Sequence, residues 1–422
     1  MKHKFKPRGS LLAALDIGTH KIACFIGRVS DDAGNVEIMG VGYQASRGMR
    51  NGSVVDLQAA ESAIRQTVHA AENMAADVMK GDPLREVIIN VPGIHAKSHV
   101  MSADIQVHGH DITDNDIRRA LSKAQDQVLS ADYELIHTIP IGYRIDGQEG
   151  IRDPRGMVGH NLEVGIHMVT SELSPLQNMA ECIERSHLDI EALCSAPYAA
   201  GLATLVEDEM DLGCTVIDMG AGVTSIAVFQ GGSVIYTDAV QAGGWHVTND
   251  IVHKFACSAA DAERIKNLYG NAVVSSNDDN ELIPVPVMGE NGPHDSNSIS
   301  RAMLIGIIQP RLEEILELVR DRLRQSGLGN SAGRRVVLTG GASQMPGLRD
   351  LAQHVLDKQV RMGRPIRLAS LPDGVSGPAF ATTAGLLTYI AQRSDEMPAE
   401  IMASTRPGSV WERLKYWWKE NW

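Results

Sequence analysis

Short apolar runs of the kind found in strands alternate along this chain with longer amphipathic stretches of the kind found in helices. Two of the apolar runs share one pattern, residues 11–29 and 214–232. Each is interrupted by Asp-x-Gly and a turn of small or polar residues. The pattern predicts a twisted α/β protein of two lobes, each built around one copy of this strand–turn–strand unit.

The pattern of apolar and polar residues divides the 422 residues into further parts. The chain ends in a polar, proline-bearing linker and a short amphipathic segment. The predicted parts are a first-lobe core at 11–89, 171–205 and 377–391; an insertion at 90–170; a second-lobe core at 206–244 and 327–376; a helical subdomain at 245–326; a flexible linker at 392–409; and a C-terminal amphipathic helix at 410–422.

Composition narrows the classes of function. The formal net charge of −13 argues against broad nucleic-acid binding, which needs cations to replace the counterions of phosphates. The five cysteines show no metal-site spacing, and we expect them to be reduced and buried. Residues 1–8 are basic but precede no signal-peptide core, and no uninterrupted apolar run is long enough to span a bilayer. These features predict a cytoplasmic protein.

The two Asp-x-Gly turns carry the strongest candidate chemistry. Glycine lets backbone N–H groups approach a phosphate closely, and an aspartate that ends a strand can hold Mg²⁺ directly or through water. Two such turns that face one another would clamp a nucleotide between the lobes. The candidate residues are Asp16, Gly18, Thr19, His20 and Lys21 in the first turn, and Asp218, Gly220, Ala221, Gly222 and Thr224 in the second, with Asp16 and Asp218 serving the metal.

Two further segments suit the same clamp. In the segment 334–348 a strand runs into Gly340 and Gly341, which would let a base or ribose lie against the backbone beside Ala342 and Met345. The alternative for this segment is an ordinary strand–helix turn. Glu263 and Lys266 stand three residues apart on one predicted helix face, and the alternative for them is a solvated surface pair.

The motifs D-I-G-T, D-M-G-A-G-V-T and T-G-G-A-S, in this order, resemble the actin/Hsp70/sugar-kinase superfamily across almost all of residues 11–392. The segments 139–171 and 242–251 and the tail further resemble the FtsA family of bacterial cell-division proteins. The resemblance implies a two-lobed actin-like (ribonuclease H-like) α/β fold with an inserted FtsA-type subdomain, and ATP and Mg²⁺ as ligands.

The same resemblance implies a function and partners. Such a protein would polymerise into filaments at the membrane, anchor the ring of the tubulin-like protein FtsZ, and recruit later division proteins. The helical subdomain would receive the C-terminal peptide of FtsZ, with Arg301 and Arg311 as candidate partners for its acidic groups. The alternative for each arginine is a solvated surface position. The insertion would contribute to the contact between filament subunits.

Two other functions share the clamp, a pilus-assembly protein and a sugar kinase or chaperone-type ATPase. In Hsp70-like clamps a Glu-Pro pair begins the helix that crosses between the lobes and helps to position the attacking water. Here Ala196 precedes Pro197, which predicts at most slow ATP hydrolysis, and we assign no catalytic residue. His20 is another departure, since it stands where relatives often have a second Thr or Ser.

The C-terminal segment gathers most of the tryptophans of the chain. As a helix of about 100° per residue, residues 410–422 place their apolar side chains within an arc of roughly 140°. At about 20 Å this helix is too short to cross about 30 Å of hydrocarbon, and indoles favour the interface. We therefore expect a peripheral anchor at the cytoplasmic face of the inner membrane, at the division site. The alternative is a helix that docks on protein. The membrane-facing residues are Val410, Trp411, Leu414, Trp417, Trp418 and Trp422.

Overall fold

The structure is a computed structural model that describes residues 6–128, 130–286, 296–328 and 333–392. The predicted amphipathic helix at 410–422 lies outside the described residues, as does the predicted linker after Gln392. Within the described ranges, no helix is both long and apolar enough to cross a membrane.

The elements follow one another as the alternating apolar pattern predicts. The strands are β1 Leu11–Ile17, β2 Lys21–Val29, β3 Val36–Ala45, β4 Met49–Arg50, β5 Ser53–Val54, β6 Glu86–Val91, β7 Ala96–Gln106, β8 Tyr133–Ile145, β9 Gln148–Ile151, β10 Asn161–Glu172, β11 Asp189–Ser195, β12 Cys214–Met219, β13 Thr224–Gln230, β14 Ser233–Val240, β15 Leu282–Pro286, β16 Ser296–Ser300, β17 Arg335–Thr339, β18 Gln359–Met362 and β19 Leu368–Ala369. The helices are α1 Leu57–Met74, α2 Ala76–Met79, α3 Asp114–Val128, α4 Leu173–Arg185, α5 Ala196–Thr204, α6 Glu207–Leu212, α7 Gly244–Phe255, α8 Ala259–Tyr269, α9 Arg301–Gln325, α10 Leu348–Leu356 and α11 Ala381–Gln392.

The first lobe is built on a sheet in the order β11-β6-β1-β2-β3-β19. Both faces of β1 are buried, and alternate residues belong to different cores. Leu15 packs in a cluster with residues of α1 and α4, whereas Ala14 packs with residues of α5 and α11. A strand covered on both faces reads as a continuous apolar run, which is the pattern seen at this position of the sequence.

The second lobe repeats this arrangement in a sheet of the order β14-β13-β12-β17-β18. In the first lobe β1 pairs antiparallel with β2 and parallel with β6. In the second lobe β12 pairs antiparallel with β13 and parallel with β17. The repeat in the sequence is therefore a repeat in the fold, and the predicted two-lobed α/β architecture is confirmed.

The insertion forms its own layer, a sheet in the order β7-β10-β8-β9 with α3 packed against it. It contacts both lobes. His137 on β8 accepts a hydrogen bond at 2.9 Å from the backbone N–H of Ser195, which precedes α5 of the first lobe. The hydroxyl of Ser98 on β7 accepts one at 3.2 Å from the N–H of Thr237, on β14 of the second lobe. The insertion thus adjoins the junction of the lobes.

The helical subdomain of the second lobe comprises α7, α8, the β15–β16 pair and α9. Its side chains share one apolar cluster with the second-lobe sheet, in which Ile251, Ile265 and Leu312 are buried. One segment lies elsewhere than the sequence predicts: Leu368–Ala369, assigned to the second lobe, pairs with β3 in the first-lobe sheet. A strand of two residues has no apolar period that could reveal its partner. All five cysteines are free and buried, as expected.

Candidate functional site

A cavity of about 510 Å³ lies between the two lobes, a size typical of small-ligand sites. Much of its wall comes from the β1–β2 turn, the β12–β13 turn, the start of α7, one face of α8, and the segment after β17; the end of β6 and the starts of α5 and α11 also contribute. The sequence-predicted residues that line it are Asp16, Gly18, Thr19, His20, Lys21, Asp218, Gly220, Ala221, Gly222, Glu263, Lys266, Gly340, Gly341, Ala342 and Met345.

The two Asp-x-Gly turns have the same geometry. The N–H of Gly18 donates to the carbonyl of Lys21, and the N–H of Gly220 donates to that of Val223, each at 3.0 Å. A Cβ atom at either glycine would lie 2.7 or 2.8 Å from that carbonyl oxygen, closer than real Cβ contacts. Both turns therefore require glycine, and the two lobes present matching backbone loops to the cavity.

The tips of the two turns lie against each other across the cleft. A Cβ built at Gly222 would be 3.0 Å from the Oγ1 atom of Thr19 and 2.9 Å from the Cα atom of Asn51. The Thr19 hydroxyl in turn accepts a hydrogen bond at 3.1 Å from the N–H of Gly52. A ligand bound to one turn would therefore also adjoin the other.

The two aspartates are held by neighbouring residues of a single helix. Thr383, near the start of α11, donates from its hydroxyl to the Oδ2 atom of Asp16 at 3.1 Å. The preceding residue, Thr382, donates to the Oδ2 atom of Asp218 at 2.9 Å. Neither threonine is a candidate from the sequence, although two adjacent hydroxyl residues begin the closing helix of the first lobe.

Burial dominates the electrostatics of the site. It raises the pKa of Asp16, against the opposing charge of Lys21, and it raises the pKa of Asp218 to about 6. It lowers the pKa of Lys21 to about 8, although the two carboxylates act in the other direction. The Lys21 ammonium donates to the carbonyl of Ala379 and lies 3.6 Å from the centre of the Phe380 ring.

Two inward-facing carboxylates beside glycine turns form an oxygen donor set of the kind that suits Mg²⁺, which keeps several waters and shares phosphate oxygens. The described residues contain no group of three or more His, Cys, Asp or Glu side chains that could hold a metal without such help. The residues present therefore fit a magnesium ion that arrives with a phosphate ligand.

The glycine pair after β17 forms a third wall. Gly340 has a φ of +88°, and a Cβ there would lie 2.3 Å from the Oδ1 atom of Asp218. Its N–H donates to the carbonyl of Pro378 at 3.1 Å, which ties this wall to the segment before α11. An L side chain at this position would be strained and would displace the carboxylate.

Glu263 and Lys266 are not a solvated surface pair. Lys266 is only 8% exposed, and its ammonium donates to Glu263 at 2.7 Å, to the Thr248 hydroxyl at 2.8 Å and to the carbonyl of Gly244 at 3.1 Å. Burial lowers the pKa of Lys266 against the charge of Glu263. Burial acts to raise the pKa of Glu263, but Lys266 and the hydrogen bonds outweigh it and the pKa is lowered. Hydrogen bonds thus fix the pair in the cavity wall.

One predicted residue of the second turn lies outside the cavity lining. Thr224 is fully buried and donates to the carbonyl of Ala242 at 2.8 Å, whereas the next residue, Ser225, lines the cavity. Several cavity residues are not candidates from the sequence, among them Asn90, Trp245 and Thr382. Ala196, the small residue at the start of α5, also lines the cavity.

The two candidate arginines lie on α9, outside the cavity lining, and are already paired within the chain. Arg301 contacts Glu281 at 3.0 Å and Asp278 at 3.4 Å. Arg311 forms a two-point contact with Asp250, at 2.6 and 3.0 Å. Neither is a freely solvated surface arginine. An acidic partner would have to displace Glu281 and Asp278 at Arg301, or Asp250 at Arg311.

Solved structures show the class of fold. The chain is similar to a PilM–PilN type IV pilus biogenesis complex, with a TM-score of 0.63 at 17% identity over 91% of this chain and 99% of that one. It is also similar to MreB5 of Spiroplasma citri bound to ADP, with a TM-score of 0.51 at 13% identity over 95% and 100% of the two chains. The protein has an actin-like fold whose cleft has the features of a nucleotide site.

Sequence comparison identifies the family within this class. Residues 215–385 match the family model for cell division protein FtsA, and residues 93–170 match that for the SHS2 domain inserted in FtsA. The chain is 40% identical to a cell division protein FtsA of Rhizobium meliloti, over 98% of this chain and 95% of the relative. The protein therefore belongs to the FtsA family of actin-like cell-division proteins, as the motifs predict. The kinase and pilus-assembly alternatives are set aside.

The ionisation of the site predicts a pH optimum for a Mg²⁺–nucleotide ligand. Asp218 must be ionised to serve the cation, so affinity falls as the pH drops through about 6. Lys21 must be protonated to attract phosphate, so affinity also falls as the pH rises through about 8. Calorimetric titrations at several pH values check this profile. The Lys21→Arg variant keeps its charge and should lose only the alkaline decline; an unchanged profile in that variant would contradict the role of Lys21.

Proposed function

We propose that this protein binds ATP·Mg²⁺ between its lobes, polymerises at the cytoplasmic face of the inner membrane, anchors the FtsZ ring there and recruits later division proteins. One observation supports the proposed nucleotide binding. Asp16 and Asp218 come from different lobes but line the same cavity, and each accepts a hydrogen bond from one of two adjacent threonines of α11. The other parts rest on membership of the FtsA family and on the sequence of the tail.

Within this proposal the residues have distinct tasks. Asp16 and Asp218 accept hydrogen bonds from the waters of the magnesium ion, and Lys21 offsets phosphate charge. The backbone of the two turns, with Thr19 beside it, surrounds the phosphates. Bound ATP·Mg²⁺ supplies the anionic group and the cation that both lobes contact at once. The base and ribose lie against Gly340, Gly341, Ala342 and Met345, with the Glu263–Lys266 pair at the ribose.

Hydrolysis is slow at most in this proposal. Ala196 begins α5 at the cavity wall, where its methyl group can neither accept a proton nor orient water. Phosphoryl transfer depends on positioning the attacking group and stabilising charge. A cleft that binds the ligand and lacks a carboxylate at this position uses ATP chiefly as a conformational ligand.

The substitution Asp218→Asn tests the metal role. Calorimetry with ATP should then give the same affinity with and without magnesium, whereas the unaltered protein should bind at least tenfold more tightly with it. The free protein should also become more stable at pH 7. A carboxyl pKa raised from 3.8 to about 6 costs the folded state roughly 3 kcal/mol once the group is ionised.

That cost disappears below the unfolded pKa near 4, so the gain in thermal midpoint should be present at pH 7 and absent at pH 4. Asp208→Asn, an exposed change on α6, is the matched control and should alter neither stability nor metal dependence. Retained magnesium dependence in Asp218→Asn would exclude the metal role.

For the FtsZ peptide, the surroundings of Arg301 favour this arginine over Arg311. Its side chain donates to the carbonyl of Tyr269 at 2.9 Å, and its backbone N–H donates to that of Glu281. The residues next to these partners, Leu268 and Leu282, have exposed apolar side chains, as does Met303 on the same helix. An arginine among exposed apolar side chains suits a peptide that carries both acidic and apolar groups.

Arg301→Gln should weaken binding of a synthetic FtsZ C-terminal peptide at least tenfold, because a two-point contact with a carboxylate is lost. The matched control is Arg322→Gln, the same change near the far end of α9, which should leave the affinity within twofold. Fluorescence anisotropy of the labelled peptide measures both. Equal affinities in the two variants would remove Arg301 from the peptide site.

For the membrane anchor, we predict that Trp417→Glu with Trp418→Glu releases the protein from liposomes in a flotation assay, because charged side chains cannot replace indoles at the membrane interface. Tyr416→Glu, on the polar side of the predicted helix, should leave flotation unchanged. ATP binding should stay intact in both variants. On a lipid monolayer with ATP, electron microscopy should show filaments for the unaltered protein only. Flotation of the double variant would contradict the anchor.

A further inference from the structure

Asn90 occupies a distinctive place in the cavity wall. It stands near the carboxyl end of β6, and its side chain is 5% exposed and lines the cavity. The strand β6 lies between β1 and β11, where Leu15 pairs with Ile89 and Cys194 pairs with Asn90. One residue further along β1 stands Asp16, so Asn90 is level with the first aspartate of the site.

The orientation of the Asn90 amide is fixed by one hydrogen bond. The Oδ1 atom accepts from the backbone N–H of Ile17 at 2.8 Å. A backbone N–H can only donate, so the atom facing it must be the carbonyl oxygen of the amide. The Nδ2 group, with its two N–H donors, is therefore on the other side of the amide.

Among the described residues, no acceptor makes a hydrogen bond with this Nδ2 group. This nitrogen is not one of the fully buried polar atoms that lack a partner, so it is accessible from the cavity. Because the Asn90 side chain lines the cavity, the donor can be satisfied by a ligand held there. The ligand group must be an acceptor that lies beside Asp16, at the end of the cavity formed by the glycine turns.

A phosphate oxygen has the required chemistry, and its position identifies which phosphate is meant. The proposed walls for adenine and ribose are the segment after β17 and α8, whereas Asn90 is level with Asp16, beside the turn proposed for the phosphates. Ala196, which follows the strand β11 paired with β6, also lines the cavity and presents no acceptor side chain. The group nearest Asn90 is therefore the end of the phosphate chain.

We propose that the Nδ2 group of Asn90 donates a hydrogen bond to the terminal phosphate of bound ATP and makes the cleft prefer a triphosphate to a diphosphate. This inference rests on the proposed binding of ATP between the lobes. An amide N–H donates and cannot take a proton from water, so Asn90 determines ligand specificity and takes no part in bond breaking. The cleft of this protein would thus distinguish a triphosphate from a diphosphate without a catalytic carboxylate.

The variant Asn90→Asp tests the proposal. It keeps the shape of the side chain and the oxygen that accepts from Ile17, but it replaces the NH₂ donor by an anionic oxygen. Calorimetric or displacement titrations with saturating magnesium at pH 7.5 should show ATP affinity at least tenfold lower and ADP affinity within threefold. Gln344→Glu, the same chemical change at the opposite wall, is the matched control and should affect ATP and ADP equally.

The outcomes distinguish the proposed role of Asn90 in specificity from the proposed binding of ATP between the lobes. Equal changes in ATP and ADP affinity in Asn90→Asp, or no change in either, would overturn the role of Asn90 and leave the nucleotide site standing. An unaltered protein that binds neither nucleotide would overturn both. If Asn90→Asp does not fold, Asn90→Ser, which adds no charge, must lower the ratio of ATP to ADP affinity at least threefold; an unchanged ratio overturns the proposal.

Discussion

Two adjacent hydroxyl groups at the start of α11 hold the carboxylates of both lobes, and the geometry of the cleft depends on this pair of hydrogen bonds. Thr383 holds Asp16 and Thr382 holds Asp218, at 3.1 and 2.9 Å. The helix that carries them is buried along almost its whole length and packs against β1 and α5. A buried helix has little freedom to move its side chains, so the two aspartates are fixed relative to each other through one rigid element.

This arrangement places two carboxylates in a buried site, where the loss of water disfavours their charged form. Burial raises the pKa of both carboxyls, and Lys21 offsets their charge only in part. A divalent cation that arrives with phosphates would relieve that cost through contacts with both lobes at once. A ligand shifts a conformational equilibrium only by its differential affinity for the two states. Because the tips of the two turns belong to different lobes, a closed cleft would offer such a ligand contacts that an open cleft would not.

Much of the site follows from local sequence. Glycine at positions 18 and 220 indicates the tight turns found there, and glycine at position 340 suits its φ of +88°. These are local properties that the sequence can predict. The repeat of the strand–turn–strand unit likewise predicts the repeat of the two sheets. Thr224 lies outside the cavity lining because neighbouring residues of a strand point to opposite faces, so Thr224 is buried and Ser225 lines the cavity. The two-residue period of a strand predicts that Thr224 and Ser225 face opposite sides of the sheet.

The rest of the site depends on contacts between residues far apart in the chain. Thr383 lies 367 residues from Asp16, and Asn90 lies 73 residues from the N–H that orients its amide. No spacing rule connects such positions. Sequence spacing likewise cannot predict the ion pair between Arg311 and Asp250, which are 61 residues apart. Local sequence patterns therefore predict most of the residues that line the cavity, but not the distant residues that hold the aspartates and the amide in position.

We propose that Asp16 and Asp218 together serve one metal ion in the cleft. Crystals of the protein grown with ATP and Mn²⁺ in place of Mg²⁺ test it most directly, because the anomalous scattering of manganese locates the ion without reference to any model. We expect a single strong peak between the two carboxylates, within reach of a bridging water from each, and its loss in Asp218→Asn. A peak elsewhere, or one that survives in the variant, would contradict the account.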